Sequence, residues 1–244
     1  MKNSINEINM PRLYDMHSHI LPEMDDGSKS ADQTLQMLNG ANSQGVCAIV
    51  ATPHFYAEKQ TPDEFLARRG EAVQKLKAMS PLPVPVYLGA EVLYFFGMGS
   101  CAELDKLCIA GTKYLLVEMP FSKWTGEVIS DIADIKSKLG IIPIIAHIER
   151  YERLYSRDML ERLVSAGAVI QSNAEFFTGK TRRKALKMLD MGYVNLLGSD
   201  CHNTTSRPEN IALGAREIYD HDEYALEKIN SMCRFLLAKA EHLQ

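Results

Sequence analysis

Short apolar runs alternate with longer amphipathic segments along almost the whole of this 244-residue chain, and that alternation constrains the fold more than any other feature. Strand candidates run from Leu13 to His17, Val46 to Ala51, Val84 to Leu93, Lys113 to Met119, Ile141 to His147, Ala168 to Asn173 and Val194 to Ser199. Between them, Ser30 to Gln44, Pro62 to Met79, Thr125 to Leu139, Arg157 to Ala166 and Thr181 to Met191 read as helices. Two more, Ser206 to Tyr219 and Asp222 to Ala240, close the chain. Ser30 and Thr61 stand at N-cap positions, Pro62 at a first helical position, and Gly45, Gly140, Gly167 and Gly192 where helices should stop. Strand–helix alternation implies parallel strands joined by right-handed crossovers. Strands that are apolar throughout are buried on both faces. An open doubly wound sheet and a closed barrel both satisfy these conditions. No glycine-rich phosphate loop follows the first strand, which counts against a dinucleotide fold. No repeat, low-complexity tract or long linker divides the chain, so one α/β domain over residues 1–244 is expected.

Composition narrows the function classes. Hydrophobic residues are 46% and charged residues 24%, which excludes a disordered or fibrous chain. A formal charge of -4 gives no global attraction to nucleic acid or anionic membrane. Five scattered cysteines without a CxxC pair suggest neither a disulfide framework nor a zinc ribbon. Met1 to Arg12 is polar and lacks the apolar core of a signal peptide, and no apolar stretch is long enough to span a bilayer. The expected location is the cytoplasm, with no integral membrane segment and no nucleic-acid partner.

The histidines are distributed unevenly. His221 and His242 fall in polar surroundings near the closing helices and read as surface residues. His17, His19, His54, His147 and His202 all fall at the C-terminal end of a strand candidate, the edge where parallel α/β folds build their sites. Asp25 and Asp26 join them in the loop after the first strand, and Glu91, Glu118 and Asp200 at later strand ends. Each of the last three follows an apolar stretch, where an isolated carboxylate is costly unless paired or bound to metal. Any one of these residues alone reads best as a hydrogen-bonded structural group; their coincidence at one edge points to a multinuclear metal site. His17 and His19 are two apart and share a face of an extended segment, and Asp200 and His202 repeat the arrangement. Mixed imidazole and carboxylate donors suit Mn, Fe, Zn or Co. Cys201, between two of them, should point away as a small packed residue. Arg150 and Arg207 follow His147 and His202, and a guanidinium makes bidentate contacts with phosphate. The only tryptophan, Trp124, lies in the loop after Glu118, either exposed to stack on a substrate ring or packed on its own loop.

Specific strings now carry a resemblance. Asp15-Met16-His17-Ser18-His19-Ile20-Leu21-Pro22, followed by Met24-Asp25-Asp26-Gly27, resembles the first motif of the PHP superfamily. Ala51-Thr52-Pro53-His54, Gly89-Ala90-Glu91, Ala146-His147-Ile148-Glu149-Arg150-Tyr151 and Gly198-Ser199-Asp200-Cys201-His202 with Arg207-Pro208 extend the match over about residues 13 to 210. Within that superfamily the chain resembles the bacterial manganese-dependent protein-tyrosine phosphatases of capsule and exopolysaccharide operons, the CpsB/YwqE type. The resemblance implies a distorted (β/α)7 barrel of the TIM-like PHP fold and three divalent metals, Mn2+ foremost. It implies that His17, His19, Glu91 and Asp200 hold one ion, that Glu91, Glu118 and His147 hold a second, and that Asp26, His54 and His202 hold the third. It matches Arg150 and Arg207 to phosphate-contacting arginines, and it implies a phosphotyrosine protein as partner, namely the tail of a membrane tyrosine kinase.

The chemistry expected of such a site is direct attack of hydroxide on phosphorus, in line with the leaving phenolate. Cys201 and Arg207 do stand at the Cx5R spacing of a thiol phosphatase, but Cys201 lies between two candidate ligands and is expected to point away from the site, so that route is not favoured. A guanidinium is a poor proton donor at neutral pH, so Arg150 is expected to clamp phosphate while water or His202 protonates the leaving oxygen. Asp15, on the same side as His17, is expected to orient a ligand. The rival readings are a small-molecule PHP phosphatase of the histidinol-phosphatase kind, an amidohydrolase and a decayed binding module. The amidohydrolase is disfavoured by Glu118 and Asn173 at positions where it would carry a bridging ligand and a histidine, and decay by the full set of ligands.

Overall fold

The computed structural model describes residues 10–243, so the polar segment Met1 to Arg12 lies outside the described residues except for its last three. Strands β1 (Leu13–Ser18), β2 (Val46–Ala51), β3 (His54–Phe55), β4 (Val86–Leu88), β5 (Glu91–Leu93), β6 (Tyr114–Glu118), β7 (Ile142–Ile145), β8 (Val169–Asn173), β9 (Leu196–Gly198) and β10 (His242–Leu243) are interleaved with seven helices. The helices are α1 (Ala31–Ser43), α2 (Pro62–Lys77), α3 (Gly126–Leu139), α4 (Arg157–Ser165), α5 (Arg182–Asp190), α6 (Ile211–His221) and α7 (Glu223–Leu237). Side-chain oxygens of Ser30, Thr61, Thr125 and Ser156 accept amide hydrogens of the first turns of α1 to α4, satisfying donors that the helix leaves open. Thr61 and Glu64 form a reciprocal capping box. Among the described residues no helix is long and apolar enough to cross a membrane.

The strands form two sheets, ordered β1-β2-β4-β10 and β3-β5-β6-β7-β8-β9. Every pairing is parallel except that of β10 with β4. The stretch read as one strand, Val84 to Leu93, is broken at Gly89 and Ala90. Its first half, β4, pairs with β2 and its second half, β5, with β6, so one segment passes the curvature from sheet to sheet. The other junction lies between β9 and β1. There the Asp200 amide donates to the His17 carbonyl at 2.8 Å, the His19 amide donates to the Cys201 carbonyl at 2.8 Å, and Ser18 bridges Cys201 in parallel. Counting β4 and β5 as one stave and setting aside the two-residue β3 and β10, seven staves run round a distorted (β/α) barrel, as expected.

Three local features add to the sequence reading or depart from it. The short β3 sets His54 opposite Glu91. The connection from β5 to β6 holds only 3-10 turns, at Met98–Ser100 and Ala102–Leu107. Helix α6 begins at Ile211 and not at Ser206, because Asn203 Oδ1 gathers the amides of Thr205, Ser206 and Arg207 at 2.8–3.1 Å and folds them into a turn.

Candidate metal centre

All nine proposed ligands meet at the C-terminal mouth of the barrel. Each arrives as a strand runs out: His17 and His19 from β1, His54 on β3, Glu91 on β5, Glu118 on β6, His147 after β7, and Asp200 and His202 after β9. Asp26 comes from the loop beyond β1. Eight are buried or nearly so, while Asp26 is 66% exposed and forms the outer lip.

The donor atoms face one another. Nε2 of His17 and Nε2 of His19 are 3.1 Å apart, each 3.3 Å from Glu91 Oε2. Asp200 Oδ1 lies 3.7 Å and 3.4 Å from the same two nitrogens. His147 Nε2 is 2.8 Å from Glu91 Oε1 and 3.6 Å from Glu118 Oε1. Asp26 Oδ1 is 3.6 Å from His54 and 3.4 Å from His202. Three sets of side chains have donor atoms within 4.8 Å of one another: His19, Asp26, His54 and His202; His17, His19 and Glu91; and His54, Glu91 and Glu118. These sets overlap the ligand sets implied by resemblance without coinciding with them, since His54 and His19 each belong to two.

Cations fit this cage better than hydrogen bonds do. Seven buried side-chain polar atoms among the described residues lack a well-directed hydrogen bond, and four belong here: His147 Nδ1, His202 Nε2, and the facing pair His54 Nδ1 and Glu91 Oε2, 2.9 Å apart. Burial works against ionising Glu91 and Asp200, yet the imidazoles around them hold both well below the ordinary carboxylate range. Burial works against charging His19, yet Asp200, Asp25 and Glu91 raise it. Burial and the neighbouring Glu91 push Glu118 up to about 7. Acids this crowded call for positive charge at the centre.

Asp200 divides its two oxygens. Oδ1 faces the histidines, while Oδ2 meets Arg150 Nη2 and, at 2.6 Å, Arg207 Nη2. Both arginines thus reach the mouth, and both side chains remain more than one-third exposed.

The residues around the ligands extend the sequence reading at some points and correct it at others. Asp25, noted there only as a loop acid, accepts from His19 Nδ1 at 2.8 Å and from the Gly27 and His54 amides. Burial opposes its charge, but His19 brings it down to about 2. Asp15 does not hold an imidazole. It accepts from the Ser199 amide at 2.8 Å and hydroxyl at 2.6 Å and from the His17 amide, tying β1 to β9. The oxygen facing His17 Nδ1, at 3.3 Å, belongs to Gln171. Trp124 is not an exposed platform: it is buried, donates to the Pro120 carbonyl at 3.2 Å and stacks on Tyr155. Phe121 is the exposed ring of that loop, 5.2 Å from Tyr151. Cys201 is a packed residue, as expected: its thiol points at the Asn203 carbonyl, and burial raises its pKa, which removes it as a nucleophile despite the Cx5R spacing to Arg207.

Comparison with known proteins places this geometry in context. Residues 13–232 match the family model described as capsular polysaccharide synthesis, CpsB/CapC. The chain is 31% identical over 203 residues to tyrosine-protein phosphatase YwqE of Bacillus subtilis, covering 80% of this chain and 79% of the relative. It is 30% identical over 210 residues to tyrosine-protein phosphatase CpsB of Streptococcus pneumoniae, covering 80% and 85%. Among solved folds, a structure from work on those two proteins, described as metal-dependent tyrosine phosphatases, superposes with a TM-score of 0.80 at 23% identity over 94% of this chain and 96% of the other. The chain belongs to the CpsB/CapC family of capsular polysaccharide synthesis.

Proposed function

We propose that this chain is a metal-dependent protein-tyrosine phosphatase that acts in the cytoplasm on phosphotyrosine in the tail of a membrane tyrosine kinase governing capsule or exopolysaccharide synthesis. The observation that carries the reading is the convergence of nine imidazole and carboxylate ligands, with four buried polar atoms that lack a well-directed hydrogen bond, beside two arginines. The relatives' activity supports it. We assign His17, His19, Glu91 and Asp200 to one ion, Glu91, Glu118 and His147 to a second, and Asp26, His54 and His202 to a third, with Mn2+ as the metal.

When bound, such ions neutralise phosphoryl oxygens and make hydroxide available near neutral pH. The chain's own residues do the rest. Arg150 and Arg207 swing from Asp200 Oδ2 onto the phosphoryl group, and their planar forks stabilise charge as it moves toward the leaving oxygen. His202 does not protonate that oxygen: its Nδ1 donates to the Asp200 carbonyl at 2.9 Å, which leaves Nε2 as a lone pair facing Asp26. Water supplies the proton.

The test is a pair of rates on the manganese-loaded protein. A phosphotyrosine peptide is expected to be cleaved far faster than histidinol phosphate; the reverse ratio would make the chain a small-molecule phosphatase.

A further inference from the structure

We infer that Gln171 and Asn173 of β8 are positioning residues that form one amide relay, setting the orientation of His17, His147 and Asp200 for metal. The inference rests on the metal reading above. Strand β8 supplies none of the nine ligands, yet it lies between β7 and β9, whose ends carry His147 and Asp200. Gln171 and Asn173 are two apart, share a face of the strand, and are buried. Two buried amides in a strand that also buries Ser172 are costly unless their polar atoms are placed.

One backbone hydrogen fixes the whole arrangement. The His147 amide can only donate, and it lies 2.7 Å from Gln171 Oε1, so that atom is the oxygen. Gln171 Nε2 must then donate to Asn173 Oδ1 at 3.0 Å, and Asn173 Nδ2 to Asp200 Oδ2 at 3.1 Å. Donor follows donor in one direction from His147 to the Asp200 carboxylate, an order in which each bond polarises the next. The same Gln171 oxygen faces His17 Nδ1 at 3.3 Å, so the imidazole proton sits on Nδ1. His17 Nε2 is left as a lone pair aimed at the site, the tautomer a ligand needs.

Two further observations fit. The relay joins His147 at φ 31° to Asp200 at φ 53°, two of the three non-glycine residues with positive φ among the described residues. Such conformations persist where the surroundings over-determine them. Gly198 leaves the necessary room, since a Cβ there would stand 2.7 Å from Gln171 Nε2 and 2.6 Å from His17 Cβ.

The experiment titrates the full chain with Mn2+ by calorimetry and with Co2+ by visible absorption. It compares the wild type, Gln171→Leu, Asn173→Ala and the double variant, with the thermal midpoint of each metal-free protein as the folding control. Gln171→Leu should weaken metal binding by roughly 10- to 100-fold, the usual effect of losing a group that orients a ligand. Asn173→Ala, which leaves the contacts to His17 and His147, should cost about tenfold. Because the two amides act in series, the double variant should bind about as well as Gln171→Leu alone, whereas independent packing defects would multiply. The Co2+ spectrum should change in both single variants. Affinities equal to wild type, or multiplying losses, would overturn the relay while leaving the metal reading intact. A wild type that binds neither ion would overturn both. If Gln171→Leu does not fold, the Asn173→Ala affinity and spectrum decide.

Discussion

Strands β7 and β9 begin and end differently. Each is preceded by a left-handed glycine, Gly140 at φ 68° and Gly192 at φ 75°, and each runs out onto a left-handed residue that is not glycine, His147 at φ 31° and Asp200 at φ 53°. At the lower end only a change of chain direction is required, and glycine supplies it without a clash. At the upper end the side chain itself is required, so the backbone carries a conformation costing about 1–2 kcal/mol per residue. The same division appears in the polar groups. Below, the Gly140 and Gly192 amides donate back into the last turns of α3 and α5; above, four buried donor and acceptor atoms stay open among crowded acids. One end of the barrel is built for stability, and the other gives up stability for an arrangement that bound cations would complete.

Changes at the upper end should therefore destroy activity, and changes at the lower end should only loosen the fold. The largest effect is expected at Glu91, whose two oxygens face His17, His19 and His147. Glu91→Gln should lower turnover on a phosphotyrosine peptide by about a thousandfold, the upper range for loss of one preorganised electrostatic group. Asp26→Asn, at the exposed lip, should cost about tenfold; steady-state kinetics that rank the two variants the other way would break the ligand assignment.

Arg150→Lys comes next. It keeps the charge and loses the fork, so turnover should fall by about a hundredfold. Metal content should hold, because Arg207 and Asn173 still bind Asp200 Oδ2. Loss of metal in this variant would make Arg150 a structural partner of Asp200; wild-type turnover would move the clamp to Arg207.

The smallest effect is expected at the lower end. Gly140→Ala meets no neighbour within 4 Å but must hold φ 68°. A loss of about 1 kcal/mol is expected, seen as a drop of roughly 2–4 °C in thermal midpoint, with turnover unchanged. A large loss of activity there would erase the division between the two ends.

The same division decided what could be read from sequence. The lower end was legible because its rules are local: Gly140, Gly167 and Gly192 mark helix ends by taking the left-handed conformation. The candidate ligands were legible because five histidines and four carboxylates fall together at strand ends, although any one of them alone reads as a structural group. Gln171 and Asn173 were not, since their role depends on the register that sets β8 beside β7 and places Gln171 under the His147 amide. Asp25 and Asp26 are adjacent, and only the tight turn at Gly27, where a Cβ would strike His19, sends the first inward and the second to the lip. Trp124 is buried by Tyr155, far along the chain on another loop.

The most direct test of the central claim is metal content measured against phosphotyrosine hydrolysis on one preparation. The account predicts three Mn2+ per chain by elemental analysis, activity lost on chelation and activity restored in step with Mn2+ returned to the nine ligands. Full hydrolysis by metal-free protein would contradict it.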